Sequence, residues 1–463
     1  MEMKNYDNIY FMGIGGIGMS ALARYFMHEG KAVAGYDRTA TPLTAALEKE
    51  GATICYEDEV EHIPEHFRNS ETTMVVFTPA VPADHPQMEY FRQNGFLMEK
   101  RSQMLGHLSE GKYVMAVAGT HGKTTTSTLI AWLNAATEMG GSAFLGGISK
   151  NFNGNMVLGE GNRLAVEADE FDRSFLRLKP DVAIITAVAA DHLDIYGTFE
   201  AVVEAFGQFA ALIKQGGHLI IKQGVEIALP EEGVSIWRYS YDEPCDFYAK
   251  NVTLCEGGYY NYDIVTPSGV IEGCRLGIPG WVNIENSVAA VASMWCAARS
   301  RGEVLCEDKL RKGLEQYSGV KRRFEFYINT PRQVYMDDYA HHPEELEATI
   351  TSVRRMFPER KITAVFQPHL YTRTRDLYRE FAAALSLADN AVLVPIYPAR
   401  EEPIEGITSE IIAECVTVPC PICERENLAD YLAAAETDVV VTFGAGNIDA
   451  YCQAIANALQ HKA

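Results

Sequence analysis

Tyr113-Val114-Met115-Ala116-Val117-Ala118 runs straight into Gly119-Thr120-His121-Gly122-Lys123-Thr124-Thr125-Thr126. Six apolar positions, a polar glycine turn and then residues 127–136 of helical character read as strand, phosphate loop and helix. In such a loop backbone N–H groups cradle phosphates, the lysine offsets charge on the β- and γ-phosphates, and a threonine hydroxyl meets Mg²⁺. The full G-x-x-x-x-G-K-[ST] spacing would need glycine at 117, where Val117 stands, so the loop is a shortened variant. Two more strand ends carry polar clusters: Glu167-Ala168-Asp169-Glu170 after RLAV, and Asp191-His192-Leu193-Asp194 after VAIITAVAA. In a parallel sheet these ends converge on the phosphate edge, where a carboxylate and an imidazole suit a divalent cation. Taken singly, each cluster also reads as a solvated strand cap, a reading that weakens beside the phosphate loop.

Toward the N-terminus, Gly13-Ile14-Gly15-Gly16-Ile17-Gly18 fits G-x-G-x-x-G between a strand and a helix over residues 20–28. Glycines there let the backbone approach a diphosphate at the positive end of a helix. Asp37 follows the next strand, where a dinucleotide would place its ribose. The motif does not separate NAD from a nucleotide sugar, and close helix–strand packing by itself would also call for these glycines.

The same strand–turn–helix rhythm recurs along the chain. One series is NIYFMG, KAVAGYD and TMVVFTPA; a second runs from YVMAVAGT through RLAVEADE, DVAIITAVAAD and GHLIIK; a third holds VYMDDYA, ITAVFQPH, AVLVPIY and DVVVTFGAG. The expected fold is α/β in three domains. Residues 1–106 form a Rossmann-like domain, 107–324 a central P-loop-type domain, and 325–463 a second Rossmann-like domain. Residues 234–278 break the rhythm with short alternating strands, expected as antiparallel hairpins appended to the second sheet.

With 463 residues, 47% hydrophobic and 22% charged, the chain is that of an ordinary globular protein. A net charge of −22 opposes nucleic acid as a partner and leaves anionic ligands to local pockets. No apolar run nears the roughly 18 residues of a membrane span, so no membrane insertion is expected. The opening MEMKNYDNIYFMG reads as a lead into a strand and not as a signal peptide, so the cytoplasm is the expected compartment. Of ten cysteines only Cys420 and Cys423 make a C-x-x-C pair, without further ligands of matching spacing.

Ten stretches taken together, GIGGIGMSALA, AGTHGKTTT, EADEFDRSF, AADHLDIY, PGWVNIEN, VKRRFE, DDYAHHPEE, FQPHLYTRTRD, YPAREEPIEG and TFGAGNI, resemble the ATP-dependent Mur ligases of peptidoglycan synthesis. They span residues 13 to 448, essentially the whole chain. The resemblance implies that UDP-sugar binds the first domain, ATP the second and the amino acid the third, which closes over the ATP. It implies joining of L-alanine to the carboxylate of UDP-N-acetylmuramate through an acyl phosphate, giving UDP-N-acetylmuramoyl-L-alanine, ADP and phosphate.

By the same resemblance Gly13, Gly15, Gly16, Ile17, Gly18, Met19, Ser20 and Asp37 serve the UDP-sugar. Gly119, Thr120, His121, Gly122, Lys123, Thr124, Thr125, Asn283, Asn286, Arg323 and Asp338 serve ATP. Thr124, Glu167 and His192 would hold Mg²⁺, with Mn²⁺ as substitute. Tyr339, His341, His369 and Arg373 line the amino-acid site. Lys123, Glu167, His192, Arg323 and His341 are the expected catalytic set, with proton removal open between His341 and His192. The pair His341-His342 is also readable as a helix cap, and Arg322 and Arg323 as bridges across an acidic surface. The assembly is expected to be a monomer or a weak homodimer. Val282, Leu370, Ala340, Phe171 and Arg173 depart from the family pattern without removing a phosphate or metal ligand.

Overall fold

In the computed structural model the described residues are 6–190, 193–399 and 401–462. Three sheets carry the chain. The first holds β1 (Asn8–Met12), β2 (Ala32–Tyr36), β3 (Thr53–Cys55), β4 (Thr73–Phe77) and β5 (Leu97–Lys100) in the order β3-β2-β1-β4-β5. All its pairings are parallel. The order reverses beside β1, so the loop after β1 opens at the switch point where such sheets bind ligands.

The second sheet begins with β6 (Tyr113–Ala118), β7 (Ser142–Ser149), β8 (Gly154–Val157), β9 (Arg163–Glu167), β10 (Val182–Ile185), β11 (His218–Lys222) and β12 (Ser235–Ser240). It continues through β13 (Phe247–Leu254), β14 (Tyr260–Thr266) and β15 (Gly269–Arg275), in the order β15-β14-β13-β12-β11-β10-β6-β9-β7-β8. Residues 114–118 of β6 and all of β10 are buried, as expected of strands covered on both faces. The appended segment differs from expectation. β12 pairs parallel to β11, and β13 parallel to β12. Only the short links after β13 and β14 force reversals of direction, because alternation in sequence does not encode strand direction.

The third sheet has β16 (Glu325–Asn329), β17 (Val334–Asp338), β18 (Ile362–Phe366), β19 (Asn390–Leu393) and β20 (Val439–Phe443), ordered β16-β17-β20-β18-β19. β16 is antiparallel to β17 and the rest pair parallel.

Contacts divide the chain into two units. One comprises Met1–Tyr248, Val265–Gly269 and Asn286–Gly313; the other comprises Ala249–Ile264, Val270–Glu285 and Leu314–Ala463. Within the former, the first two sheets share one hydrophobic core that runs from Ile9, Phe11 and Leu22 through Leu105 and Leu108 to Val114, Val166 and Phe206. The helix Ile17–His28 packs on β7 and β8. Asn155 fixes that contact by donating from Nδ2 to Ser20 Oγ at 2.9 Å and to the Ile17 carbonyl.

Candidate active site

The phosphate loop is built by β6 and a helix that begins at Lys123, so Lys123 to Thr126 form its first turn, earlier than the sequence pattern suggested. Gly119 has φ +133°, and a Cβ there would lie 2.1 Å from Thr186 Oγ1 and 2.8 Å from Ala187 N. Gly122 has φ +81°, and its Cβ would meet Asn286 Oδ1 at 2.8 Å. Both positions therefore demand glycine. Asn286 Oδ1 also accepts from Thr126 Oγ1 at 3.3 Å, which puts one of the two expected asparagines against the loop. Thr120, Thr124 and Thr125 are buried, and His121 offers its carbonyl to Thr186 Oγ1.

Lys123 Nζ donates to the Gly119 carbonyl at 2.7 Å and to Glu170 Oε1 at 2.8 Å. Glu170 is 1% exposed. Burial lowers the Lys123 pKa, but the carboxylates of Glu170, Asp169 and Glu167 more than offset it, so the ammonium is held charged. Glu167 ends β9 close to Gly146 of β7: a Cβ on Gly146 would lie 2.0 Å from Glu167 Oε2. The missing side chain of Gly146 is what leaves room for this carboxylate. A threonine hydroxyl and a carboxylate beside a phosphate loop form an all-oxygen donor set that suits Mg²⁺. His192 lies outside the described residues.

The first glycine loop is occupied largely by its own hydrogen bonds. Gly13 and Ile14 donate to the Tyr36 carbonyl, and Gly16 donates to that of Gly13. Gly15 N–H donates to Asp37 Oδ2 at 2.7 Å, while Asp37 Oδ1 accepts from Thr39 N–H. Asp37 thus braces the loop. Met19 and Ser20 are buried at 2% and 0% exposure, and the Ser20 N–H already donates to the Gly16 carbonyl at 2.8 Å. Ile17 and Gly18 open the helix, whose first N–H groups have no intrahelical acceptor.

In the other unit, the side chains expected at the amino-acid and ATP sites gather at the C-terminal ends of β17 and β18. Tyr339 lies under both Arg322 and Arg323, with guanidinium carbons 5.1 and 5.2 Å from its ring centre. The two arginines differ. Arg322 is bound to Asp337 at 3.0 Å and to the Gly444 and Gly446 carbonyls, a structural tie. Arg323 is half-buried and 3.9 Å from Glu345. Asp338 is 4% exposed and accepts the N–H groups of Phe324 and Ala340, both at 2.9 Å. Burial pushes its carboxyl up to about 6 against the pull of Arg323. Asn283 is buried and donates to the Pro279 carbonyl.

His341 Nδ1 sits 3.2 Å from Glu345 Oε2, and that carboxylate accepts the N–H of both His341 and His342. The helix Pro343–Met356 is capped in this way, so capping and an available imidazole coexist. The His341 ring is 6.2 Å from His369, which stacks on Tyr397 at 5.8 Å. Arg373, in the first turn of the helix Tyr371–Leu385, keeps a buried Nη1 without a hydrogen-bond partner among the described residues. Arg375 instead is exposed and bound to Asp376 at 2.7 Å. Tyr397, Gly146, Glu170 as the partner of Lys123, and Arg101 beside Gly18 were not anticipated from sequence. Gly146, a glycine inside a strand, left a local signal of close approach, while Glu170 and Tyr397 lie in quoted stretches that assigned them no such partner.

A lysine clamped to a carboxylate at the start of a strand–loop–helix turn is machinery for phosphoryl transfer. A second glycine turn in the same unit, and a pair of neighbouring imidazoles, His341 and His369, on another sheet, accord with a multi-substrate ATP-dependent ligase. The chain belongs to the Mur ligase family: residues 8–113 match the family's catalytic domain, 117–294 its middle domain, and 322–446 its glutamate ligase domain. It is 47% identical over 467 residues to the UDP-N-acetylmuramate–L-alanine ligase of Phocaeicola vulgatus, covering 100% of both chains. It is 49% identical to the enzyme of the same name from Parabacteroides distasonis, over 97% of this chain and 96% of that one. The solved UDP-N-acetylmuramate–alanine ligase of Thermotoga maritima superposes with a TM-score of 0.80 at 25% identity, covering 98% of this chain and 100% of that one. Among the described residues no helix is long and apolar enough to cross a membrane.

Proposed function

We propose that this protein joins L-alanine to the lactyl carboxylate of UDP-N-acetylmuramate with hydrolysis of ATP to ADP and phosphate. The observation that carries the reading is identity of 47% along the entire length with a chain of that activity. A carboxylate is a poor electrophile, so it must be activated. Its oxygen attacks the γ-phosphorus, the bond to ADP breaks, and the acyl phosphate forms. The L-alanine amine then attacks the acyl carbon, phosphate leaves, and the amine gives up a proton.

Lys123 and Arg323 are assigned to charge on the migrating phosphoryl group, where positioned cations act most strongly. Gly119, Thr120, His121, Gly122, Thr124, Thr125, Asn283, Asn286 and Asp338 are assigned to ATP, supported for the loop by its strand–turn–helix geometry. Thr124, Glu167 and His192 are assigned to Mg²⁺, which when bound polarises the phosphoryl oxygens. Tyr339, His341, His369 and Arg373 are assigned to L-alanine; the unsatisfied Nη1 of Arg373 supports it as the carboxylate ligand. His341, oriented by Glu345, is assigned to proton removal. The first loop, from Gly13 to Ser20 with Asp37 as its brace, is assigned to the UDP-sugar. Domains over 1–106, 107–324 and 325–463, a cytoplasmic location and a monomer or weak homodimer complete the proposal.

Phosphate release from ATP with UDP-N-acetylmuramate and L-alanine, L-serine, glycine or a muramyl tripeptide tests it. Turnover with L-alanine is expected. Turnover with the peptide alone would reassign the protein to peptide recycling, and reduction of added NAD would reassign the first loop.

A further inference from the structure

Between the two glycine loops lies a charged contact that the chemistry of neither loop requires. β5 ends at Lys100, and the helix Arg101–Ser109 starts at the next residue. Gln103 Oε1 accepts the Lys100 N–H at 2.9 Å and fixes this junction. From it Arg101 extends over the first loop: a Cβ on Gly18 would lie 2.7 Å from Arg101 Nη1 and 3.0 Å from its Cδ. The same guanidinium stands 3.6 Å from Asp169 Oδ2, and Lys100 Nζ stands 3.2 Å from Asp172 Oδ2.

Asp169 is held from its other side. Its Oδ1 accepts the Phe171 N–H at 3.1 Å, and its carbonyl accepts that of Phe175 at 2.9 Å. It precedes Glu170, the partner of Lys123. Asp169 therefore belongs to the acidic run beside the ATP loop while touching the cation that covers the sugar-nucleotide loop.

The placement of Arg101 is costly on its own. A cation at the first turn of a helix opposes the helix dipole by about 0.3–1 kcal/mol. A diphosphate beneath the guanidinium would turn that cost into a charge-assisted hydrogen bond. It would also compete with Asp169 for the same group.

We infer that Arg101 is shared between the sugar-nucleotide diphosphate and Asp169, so that occupancy of the first loop is felt as a change of charge beside Lys123. The inference rests on the assignment of the first loop to UDP-sugar. Sugar-nucleotide binding and ADP binding are then thermodynamically coupled, and each alters the other's affinity by the same factor.

The test is calorimetric titration of the full chain with UDP-N-acetylmuramate, with and without saturating ADP. In the unaltered protein the two affinities are expected to differ about fivefold or more. Arg101→Met should weaken UDP-N-acetylmuramate binding about tenfold or more, the loss of one hydrogen bond to a charged group. Arg101→Lys should fall between, and it carries the test if the methionine variant does not fold. Asp169→Asn should bind UDP-N-acetylmuramate at least as tightly as the unaltered protein without ADP, yet lose the dependence on ADP. Arg101 variants binding within about twofold of the unaltered protein would overturn the inference, as would an unaltered protein without coupling or an Asp169→Asn variant that keeps it. An unaltered protein that binds no UDP-N-acetylmuramate would instead overturn the assignment of the first loop.

Discussion

Replacing Lys123 by methionine leaves Glu170, 1% exposed, without the ammonium that sits 2.8 Å from it. Burial already lifts the Glu170 carboxyl above its ordinary 4.5, and Lys123 is the main force pulling it back. In the variant the group will take up a proton sooner than remain a buried, unpaired charge. This sets a ceiling on the damage. Protonating a carboxyl of ordinary value 4.5 at pH 7 costs about 3.4 kcal/mol, at about 1.36 kcal/mol per pH unit. Losing the lysine raises the folded value further above the unfolded one, so the folded variant holds the proton longer and its stability falls over a wider span as pH rises between the two values. Relative to the unaltered protein, whose Glu170 is already raised with Lys123 in place, the deficit should be small near about pH 5 and grow toward neutral pH while staying below about 3.4 kcal/mol at pH 7. Urea unfolding at the two pH values measures it. Adding Glu170→Gln should remove most of the pH-dependent deficit without restoring ligation, which should stay depressed on the order of 10²–10³-fold. An equal deficit at both pH values, or a double variant less stable than Lys123→Met, would refute the pairing argument.

Gly146→Ala should push the Glu167 carboxylate off its seat, 2.0 Å from the added Cβ, and lower turnover while moving the unfolding midpoint little; a Mg²⁺ titration of the rate should shift to higher metal concentration. Gly15→Val drives a side chain into Asp37 and Thr44, each 2.8 Å from its Cβ, so calorimetry should show weakened UDP-N-acetylmuramate binding and unchanged ADP binding. Arg373→Lys keeps the charge and loses the two-pronged grip on a carboxylate, so initial-rate kinetics should show a raised KM for L-alanine with those for ATP and UDP-N-acetylmuramate little changed. An unchanged alanine KM would move the carboxylate ligand elsewhere, though Arg375 is poorly placed for it, being bound to Asp376.

Both glycine loops could be read in sequence because glycine is demanded there by geometry that nothing else satisfies: Gly119 and Gly122 lie at positive φ against Thr186 and Asn286. The mostly apolar runs of β6, β10 and β20 were legible because burial on both faces removes alternation. β3, with three residues, and β5, half-buried throughout, carry too little pattern to be seen. The parallel direction of β12 and β13 is a tertiary choice that alternation does not record. Among site residues, those within a motif were visible. Tyr397 opens the quoted stretch YPAREEPIEG without a role attached to it, and Arg101 lies outside every motif; each meets its partner across more than twenty residues of chain. Asp37 was expected at a ligand's ribose; its carboxylate turns inward to Gly15 and Thr39.

The shared core beneath the first two sheets governs how this protein should melt. Tyr25, on the helix of the first loop, meets Phe144 of β7 at 5.9 Å, and Asn155 ties the same helix to the second sheet. Neither sheet can shed its interior without exposing the other's, so the two behave as one cooperative block. A ligand seated on the first loop then lends its binding free energy to the phosphate loop as well. UDP-N-acetylmuramate should consequently shield peptide bonds around residues 119–126 from proteases, and slow amide exchange there, with no ATP in solution.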